Sequence, residues 1–91
     1  MTEIRRKHIV FYGSVQGVGF WYRARQAAGL VGCTGWVRNE WDGSVSMEIQ
    51  GMESAIDQVI LAIERGHYVH IENMDVKELD PLEEEQGFRT Y

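Results

Sequence analysis

A chain of 91 residues with 44% hydrophobic and 25% charged residues has the size and composition of one globular domain, which excludes a fibrous or disordered protein. Its net charge of −5 disfavours nucleic acid and anionic membranes as partners, and no apolar run approaches the ~20 residues that a membrane helix requires. The only cysteine, Cys33, cannot form an internal disulfide, which fits a reducing compartment, so we expect the protein in the cytoplasm. The length predicts a single domain over residues 1–91.

The first predicted strand and helix enclose a glycine-rich segment. The apolar and aromatic run His8–Tyr12, which ends at Gly13, predicts a central strand. The apolar spacing within Trp21–Val31 predicts a helix that ends at Gly32. The segment between these two elements is therefore a loop that runs from a strand into a helix.

A hairpin and a second helix follow. Thr34–Arg38 and Val45–Gln50 are predicted strands, and the pair Asp42-Gly43 between them is typical of a hairpin turn. Glu53–Glu64 is a predicted helix because its apolar side chains recur at helical spacing, and Gly66 is a natural stop behind it. We expect each of these elements to bury one face.

The C-terminal part predicts two more strands, Tyr68–Leu79 and Phe88–Tyr91, separated by the loop Pro81–Gly87. The acidic run Glu83–Glu85 within that loop is expected to face solvent. The order of elements predicts an α+β, ferredoxin-like βαββαβ fold, with an antiparallel sheet and both helices on one face.

The glycine-rich segment Gly13–Phe20, termed here the phosphate loop, has the features of an anion site. Gly17 and Gly19 permit positive φ, so successive backbone N–H groups can converge on one concave space. The start of the following helix adds unpaired N–H donors and partial positive charge. Glycines in this pattern also occur in tight turns that bind no ligand, so the pattern alone leaves both interpretations open.

The complete sequence around this loop is more specific. The letters GSVQGVGF at residues 13–20, followed by GWVRN at 35–39 and DGSV at 42–45, resemble the two signature stretches of the acylphosphatase family. The resemblance spans essentially the whole chain. It implies an enzyme without metal or cofactor that hydrolyses the carboxyl–phosphate bond of acyl phosphates to a carboxylate and inorganic phosphate.

The resemblance also implies roles for individual residues. In the family, loop amides hold the phosphoryl group, an arginine directly after the loop grips its oxygens, and an asparagine orients the attacking water. The position of that asparagine is Asn39 here, and the arginine position is occupied by Trp21. The loop amides correspond to Gln16, Gly17, Val18, Gly19 and Phe20.

Two nearby arginines, Arg23 and Arg25, are candidates to replace the missing guanidinium. Arg23 lies about 200° around a helix from Trp21 and is expected to point away from the loop. Arg25 lies about one turn further on nearly the same face, and its side chain could lean back toward the phosphate. The alternative is that both side chains face solvent.

The aromatic and histidine residues leave several interpretations open. Trp36 and Trp41 flank Asn39, so one of them could wall the pocket, or Trp36 could be core and Trp41 exposed. The spacing of His67 and His70 does not suggest a metal site, and His8 has no partner evident from the sequence.

Three functions remain compatible with the sequence. The first is acyl phosphate hydrolysis by a monomer that acts on a small molecule. The second is a non-catalytic protein that binds phosphate or another small anion, with Trp21 closing the pocket. The third is RNA binding through aromatic residues on an open sheet face, for which Phe11 or Tyr12 is the candidate, although the acidic charge opposes it.

Overall fold

The computed structural model describes residues 3–91 and confirms the ferredoxin-like α+β fold. The sheet has the strand order β4-β1-β3-β2-β5, and both helices pack on one of its faces. The elements are β1 (Ile4–Ser14), α1 (Phe20–Val31), β2 (Thr34–Asn39), β3 (Val45–Met52), α2 (Glu53–Glu64), β4 (His70–Leu79) and β5 (Phe88–Thr90). No helix within residues 3–91 is long and apolar enough to cross a membrane.

The last strand corrects the prediction of a purely antiparallel sheet. Strands β1 to β4 pair antiparallel, but β5 runs parallel to β2, with Gly35 opposite Phe88. The end of β4 and the start of β2 lie at the same end of the sheet, whose two edges are formed by β4 and β5. The segment 80–87 crosses between these edges, so β5 enters the sheet in the same direction as β2.

The core lies between the helices and the sheet. Alternate residues of β1 and β3, among them Ile9, Phe11 and Met47, are fully buried on this face, as the alternation in the sequence predicted. The rings of Phe11 and Phe20 meet edge to face with centroids 4.8 Å apart. This contact joins β1 to the first residue of α1 and fixes the far end of the phosphate loop.

The two helices end differently. Gly32 follows α1 with φ of 76°, a left-handed conformation that glycine adopts readily, as predicted. Gly66 follows α2 without a positive φ; a Cβ there would lie 2.8 Å from Val69 Cγ2 and 3.0 Å from Arg23 Cδ. Close packing against the Val69 and Arg23 side chains, rather than a left-handed cap, therefore favours glycine at this position.

The sheet face opposite the helices, termed the open face, carries an ion-pair network that the sequence analysis missed. The guanidinium of Arg6 is only 2% exposed, and it donates to both carboxylate oxygens of Glu85 at 2.7 and 3.1 Å. It also donates to Glu48 at 3.0 Å and to Gln50 at 3.2 Å. The prediction that Glu83–Glu85 faces solvent is therefore wrong for Glu85, which lies over the open face.

Trp36 and His8 belong to the same face. Trp36 is half-buried between the ring of His8, 5.9 Å away, and the guanidinium of Arg38, 5.2 Å away, so its assignment to the core was wrong. His8 does have a partner, since its Nδ1 lies 3.0 Å from a carboxylate oxygen of Glu48. His8 and Glu48 are opposite each other in the β1–β3 register, which a sequence without known strand pairing does not reveal.

Replacing Glu85 with Gln tests the ion pair with Arg6. Burial alone raises the pKa of Glu85, but hydrogen bonds from Arg6 and Thr34, together with the charges of Arg6 and Arg89, outweigh it, and the net pKa is lowered. A lowered carboxyl pKa stabilises the fold above the unfolded value of about 4.3, and this stabilisation is lost as the pH falls through the folded value. We expect Glu85→Gln to cost about 2 kcal/mol of unfolding free energy at neutral pH, and the difference from the parent to shrink as the pH falls below about 4.3 and through the lowered folded-state pKa.

Chemical denaturation across pH 3–7 measures this difference. Glu83→Gln is the matched control, because Glu83 lies in the same loop, is exposed and has no ion-pair partner among the described residues. Equal effects of the two substitutions would show that the negative charge of this loop, rather than the contact between Glu85 and Arg6, stabilises the fold.

Candidate active site

The phosphate loop is anchored at both ends and tied to the β2–β3 turn. Val15 and Phe20 are 1% and 2% exposed, so the residues between them span two buried side chains. The side-chain amide of Gln16 donates to the backbone oxygens of Glu40 and Ser44, at 2.8 and 3.0 Å. Because the turn directly follows Asn39, the loop and Asn39 are held at a fixed separation.

The β2–β3 turn has its own supports. Ser44 donates to Asp42 Oδ1 through its hydroxyl at 2.6 Å and its backbone N–H at 3.0 Å, and these bonds lower the pKa of the Asp42 carboxyl. Hydrogen bonds from the hydroxyl of Ser46, and then from Arg38, lower the pKa of the Glu40 carboxyl. The turn that receives Gln16 is therefore itself ordered.

The glycines of the loop adopt the conformations that the sequence predicted. Gly17 and Gly19 have φ of 69° and 85°, in the left-handed region that favours glycine. No atom lies within 4 Å of the Cβ position at either glycine, so both border open space. Gly19 is also the N-cap of α1 and has no side-chain capping bond.

The backbone amides of this region remain available to a ligand. Within residues 3–91, no turn or cap hydrogen bond uses the N–H groups of residues 16–22. The first helical N–H engaged at this end is that of Arg23, which donates to Gly19 O at 3.1 Å. Such a run of free amides at a helix start favours an anion.

A pocket of about 360 Å³ opens beside these amides. Trp21, in the first turn of α1, and Asn39, the last residue of β2, meet across it. The indole Nε1–H of Trp21 donates to Oδ1 of Asn39 at 3.0 Å. The pocket is lined by Gly17, Gly19, Phe20, Trp21, Tyr22 and Asn39.

Five of the predicted site residues line the pocket, whereas Gln16 and Val18 do not. Gln16 and Val18 are half-buried beside the pocket, Gln16 tied to the turn and Val18 packed on the core. Tyr22 lines the pocket and was missed, although an exposed aromatic next to Trp21 in the first helical turn was a usable signal. Neither Trp36 nor Trp41 lines it, and Trp41 is fully exposed, as one of the two interpretations had it.

No Lys, Arg or His side chain is among the residues that line this pocket. Arg23 points away, as predicted, and donates to the backbone oxygen of Ala62 on α2 at 3.2 Å. Arg25 is exposed on α1, outside the lining. Arg38 is paired with Glu40 at 3.0 Å. An anion in this pocket would therefore be held by amides and neutral side chains.

Comparison with known proteins identifies the family of this chain. The acylphosphatase family profile matches residues 7–90. The chain belongs to the acylphosphatase family. It is 39% identical over 87 residues to an acylphosphatase of Geobacillus thermodenitrificans, covering 94% of this chain and 93% of that protein. It is 38% identical over 89 residues to an acylphosphatase of Roseiflexus sp., covering 97% and 96%.

The fold comparison agrees. The crystal structure of acylphosphatase from Bacillus subtilis superposes with a TM-score of 0.86 at 30% identity, covering 98% of this chain and 99% of that one. The residues that match the family, 7–90, include the phosphate loop, the end of β2 and the start of α1, which together form the pocket.

Replacing Gly19 with Ala tests the strained loop conformation. An L-residue at φ of 85° costs about 1–2 kcal/mol, so we expect Gly19→Ala to lower the unfolding free energy by that amount and to weaken phosphate binding. Gly29→Ala is the control, since Gly29 lies inside α1 without a positive φ and should gain about 0.5–1 kcal/mol. Denaturation with urea and a phosphate titration provide both readouts; a neutral Gly19→Ala would contradict a loop that depends on its glycines.

Proposed function

We propose that this chain hydrolyses the carboxyl–phosphate bond of acyl phosphates, releasing a carboxylate and inorganic phosphate. The observation that carries the proposal is the pocket itself, in which free loop amides and Asn39 converge beside a helix start in an acylphosphatase-family fold. The backbone N–H groups of residues 16–20 bind the phosphoryl oxygens. Asn39 orients the attacking water.

This arrangement suits the chemistry of phosphoryl transfer. A loose transition state needs little covalent help and is accelerated mainly by positioning and by electrostatic stabilisation of the equatorial oxygens. Amides fixed by the anchors Val15 and Phe20 supply such stabilisation without reorganising during the reaction. The Asn39 amide both donates and accepts, so it can hold a water without being ionised.

The indole of Trp21 makes this site weaker than one with a guanidinium. Removing one preorganised donor of this kind costs about 10²–10³-fold in rate. Arg25 lies outside the pocket lining in this structure, but it is about one turn beyond Trp21 on nearly the same face of α1, so we propose that its long side chain swings toward a bound phosphoryl group as a partial replacement. The loop amides bind the anion whether or not a guanidinium lies beside them.

The other two functions are distinguished by simple observations. A non-catalytic anion binder would bind phosphate in the same pocket without turnover. RNA binding finds little support, because Phe11 is fully buried against the helices and the open face presents Glu48 and Glu85. We favour the hydrolase.

We also propose that the enzyme acts as a monomer in the cytoplasm on small-molecule acyl phosphates. The thiol of Cys33 is buried, and burial raises its pKa to about 11, so it is poorly reactive and consistent with a structural role. The net charge of −5 supports a small anion, captured locally by amides, rather than a polyanion.

Introducing the missing guanidinium tests the assignment of Trp21. We expect Trp21→Arg to raise kcat/KM for a model acyl phosphate such as benzoyl phosphate by about 10²-fold, because a fixed positive charge stabilises the transferring phosphoryl group. Gln26→Arg, which adds the same charge on an exposed position of α1, should leave the rate unchanged. An equal gain from both variants would show that the added positive charge acts through the overall electrostatic potential of the protein and not through its place at position 21.

Replacing Asn39 with Ala tests the water-positioning role. We expect kcat for benzoyl phosphate to fall about 10²-fold, since the water loses its fixed partner. Circular dichroism provides the check that the fold is retained. Hydrolysis at the parental rate would remove Asn39 from the mechanism, whereas a parent that binds phosphate without turnover would favour the non-catalytic alternative.

A further inference from the structure

We propose that Trp21 is a positioning residue that orients the Asn39 amide, so that Asn39 Nδ2–H donates to a phosphoryl oxygen. The two residues form what we term the neutral relay: the indole N–H donates to the amide, and the amide donates to the anion. Trp21, one member of the relay, stands at the sequence position of the family's arginine. The inference rests on the function proposed for the same pocket.

The orientation of the amide follows from the chemistry of the indole. An indole N–H can donate but cannot accept, so the atom that it meets at 3.0 Å must be the oxygen of the Asn39 side chain. Nδ2 then lies on the other branch of the planar amide, where no described residue engages it. Because Asn39 lines the pocket, its two N–H donors are free for a ligand there.

The indole also strengthens the donor that it orients. A hydrogen bond into an amide oxygen polarises the amide, and hydrogen bonds in such chains strengthen one another by roughly 10–30% each. The oxygen keeps a second lone pair, which can accept a hydrogen bond from the attacking water. One amide can therefore contact a phosphoryl oxygen and the water together, as a reaction between them requires.

The surroundings hold the relay in place before a ligand arrives. The indole of Trp21 is half-buried against the core cluster, which restricts its rotamers. Asn39 is paired with Val45 in the β2–β3 ladder, and the next residue along receives the hydrogen bond from Gln16. Both members of the relay thus stand on rigid elements rather than on a free loop.

The indole N–H resonances provide a direct test of the first bond. In 15N-resolved NMR spectra, we expect the Trp21 indole N–H to exchange with solvent more slowly than that of Trp41, which is fully exposed and serves as an internal reference. Asn39→Ala should make the two similar. Asn39→Asp should keep the slow exchange, because a carboxylate oxygen still accepts from the indole.

Titration with inorganic phosphate tests the second bond. We expect Asn39→Ala to weaken phosphate affinity about tenfold and Trp21→Phe about threefold, while the double variant is no weaker than Asn39→Ala alone, because both remove one chain of bonds. Asn39→Asp should abolish detectable binding, since its oxygens repel the anion. Trp36→Phe, the matched control on the open face, should bind as the parent does.

Three results would overturn the relay: additive losses from Trp21→Phe and Asn39→Ala, an indole N–H at Trp21 that exchanges as fast as that of Trp41, or no saturable phosphate binding by the parent. None of these measurements needs turnover. A parent that binds phosphate through the relay but does not hydrolyse benzoyl phosphate would refute only the proposed hydrolysis. A hydrolysing parent with additive losses would refute only the relay.

Discussion

The contact between Phe11 and Phe20 is the constraint on which the site depends. Phe11 lies in the central strand β1, and Phe20 is both the last residue of the phosphate loop and the first of α1. Their packing, with Val15 buried at the other end, fixes the span that the intervening residues must bridge. The loop backbone cannot relax into a turn that pairs its own amides, so those donors stay unpaired and face open space. Hydrophobic packing in the core thereby keeps these amides free for the anion that we propose they bind.

The pocket itself is lined by uncharged side chains. Arg6 is enclosed by Glu48 and Glu85 on the open face, whereas no Lys, Arg or His side chain lines the pocket. An acidic protein that binds an anion without a cation must rely on dipoles that are already oriented. Trp21 fits this pattern, since an indole contributes a donor and an apolar surface but no charge.

The sequence predicted those features that local patterns determine. Alternation in Val45–Gln50 predicted the buried face of β3, but Ser46 on the other face, expected to face solvent, is also buried. The helical period of α2 predicted its buried face, and the glycines of the phosphate loop predicted its left-handed turns. Features that depend on which distant segments meet were not predictable in this way. Glu85 looked like part of a solvated acidic run because nothing local indicates Arg6 as its partner. The bond from Trp21 to Asn39 likewise depends on how α1 begins relative to the end of β2, a geometry that composition and spacing do not encode.

The pairing of Arg6 with Glu85 also bears on the order in which the chain can assemble. The two residues are 79 positions apart, so this contact closes the longest loop among the described ion pairs. Arg6 is synthesised 79 residues before Glu85, so its guanidinium stays without this carboxylate until the segment between them has been translated. Contacts of such large sequence separation slow folding, so a carboxylate that is made late completes the burial of a guanidinium that is made early.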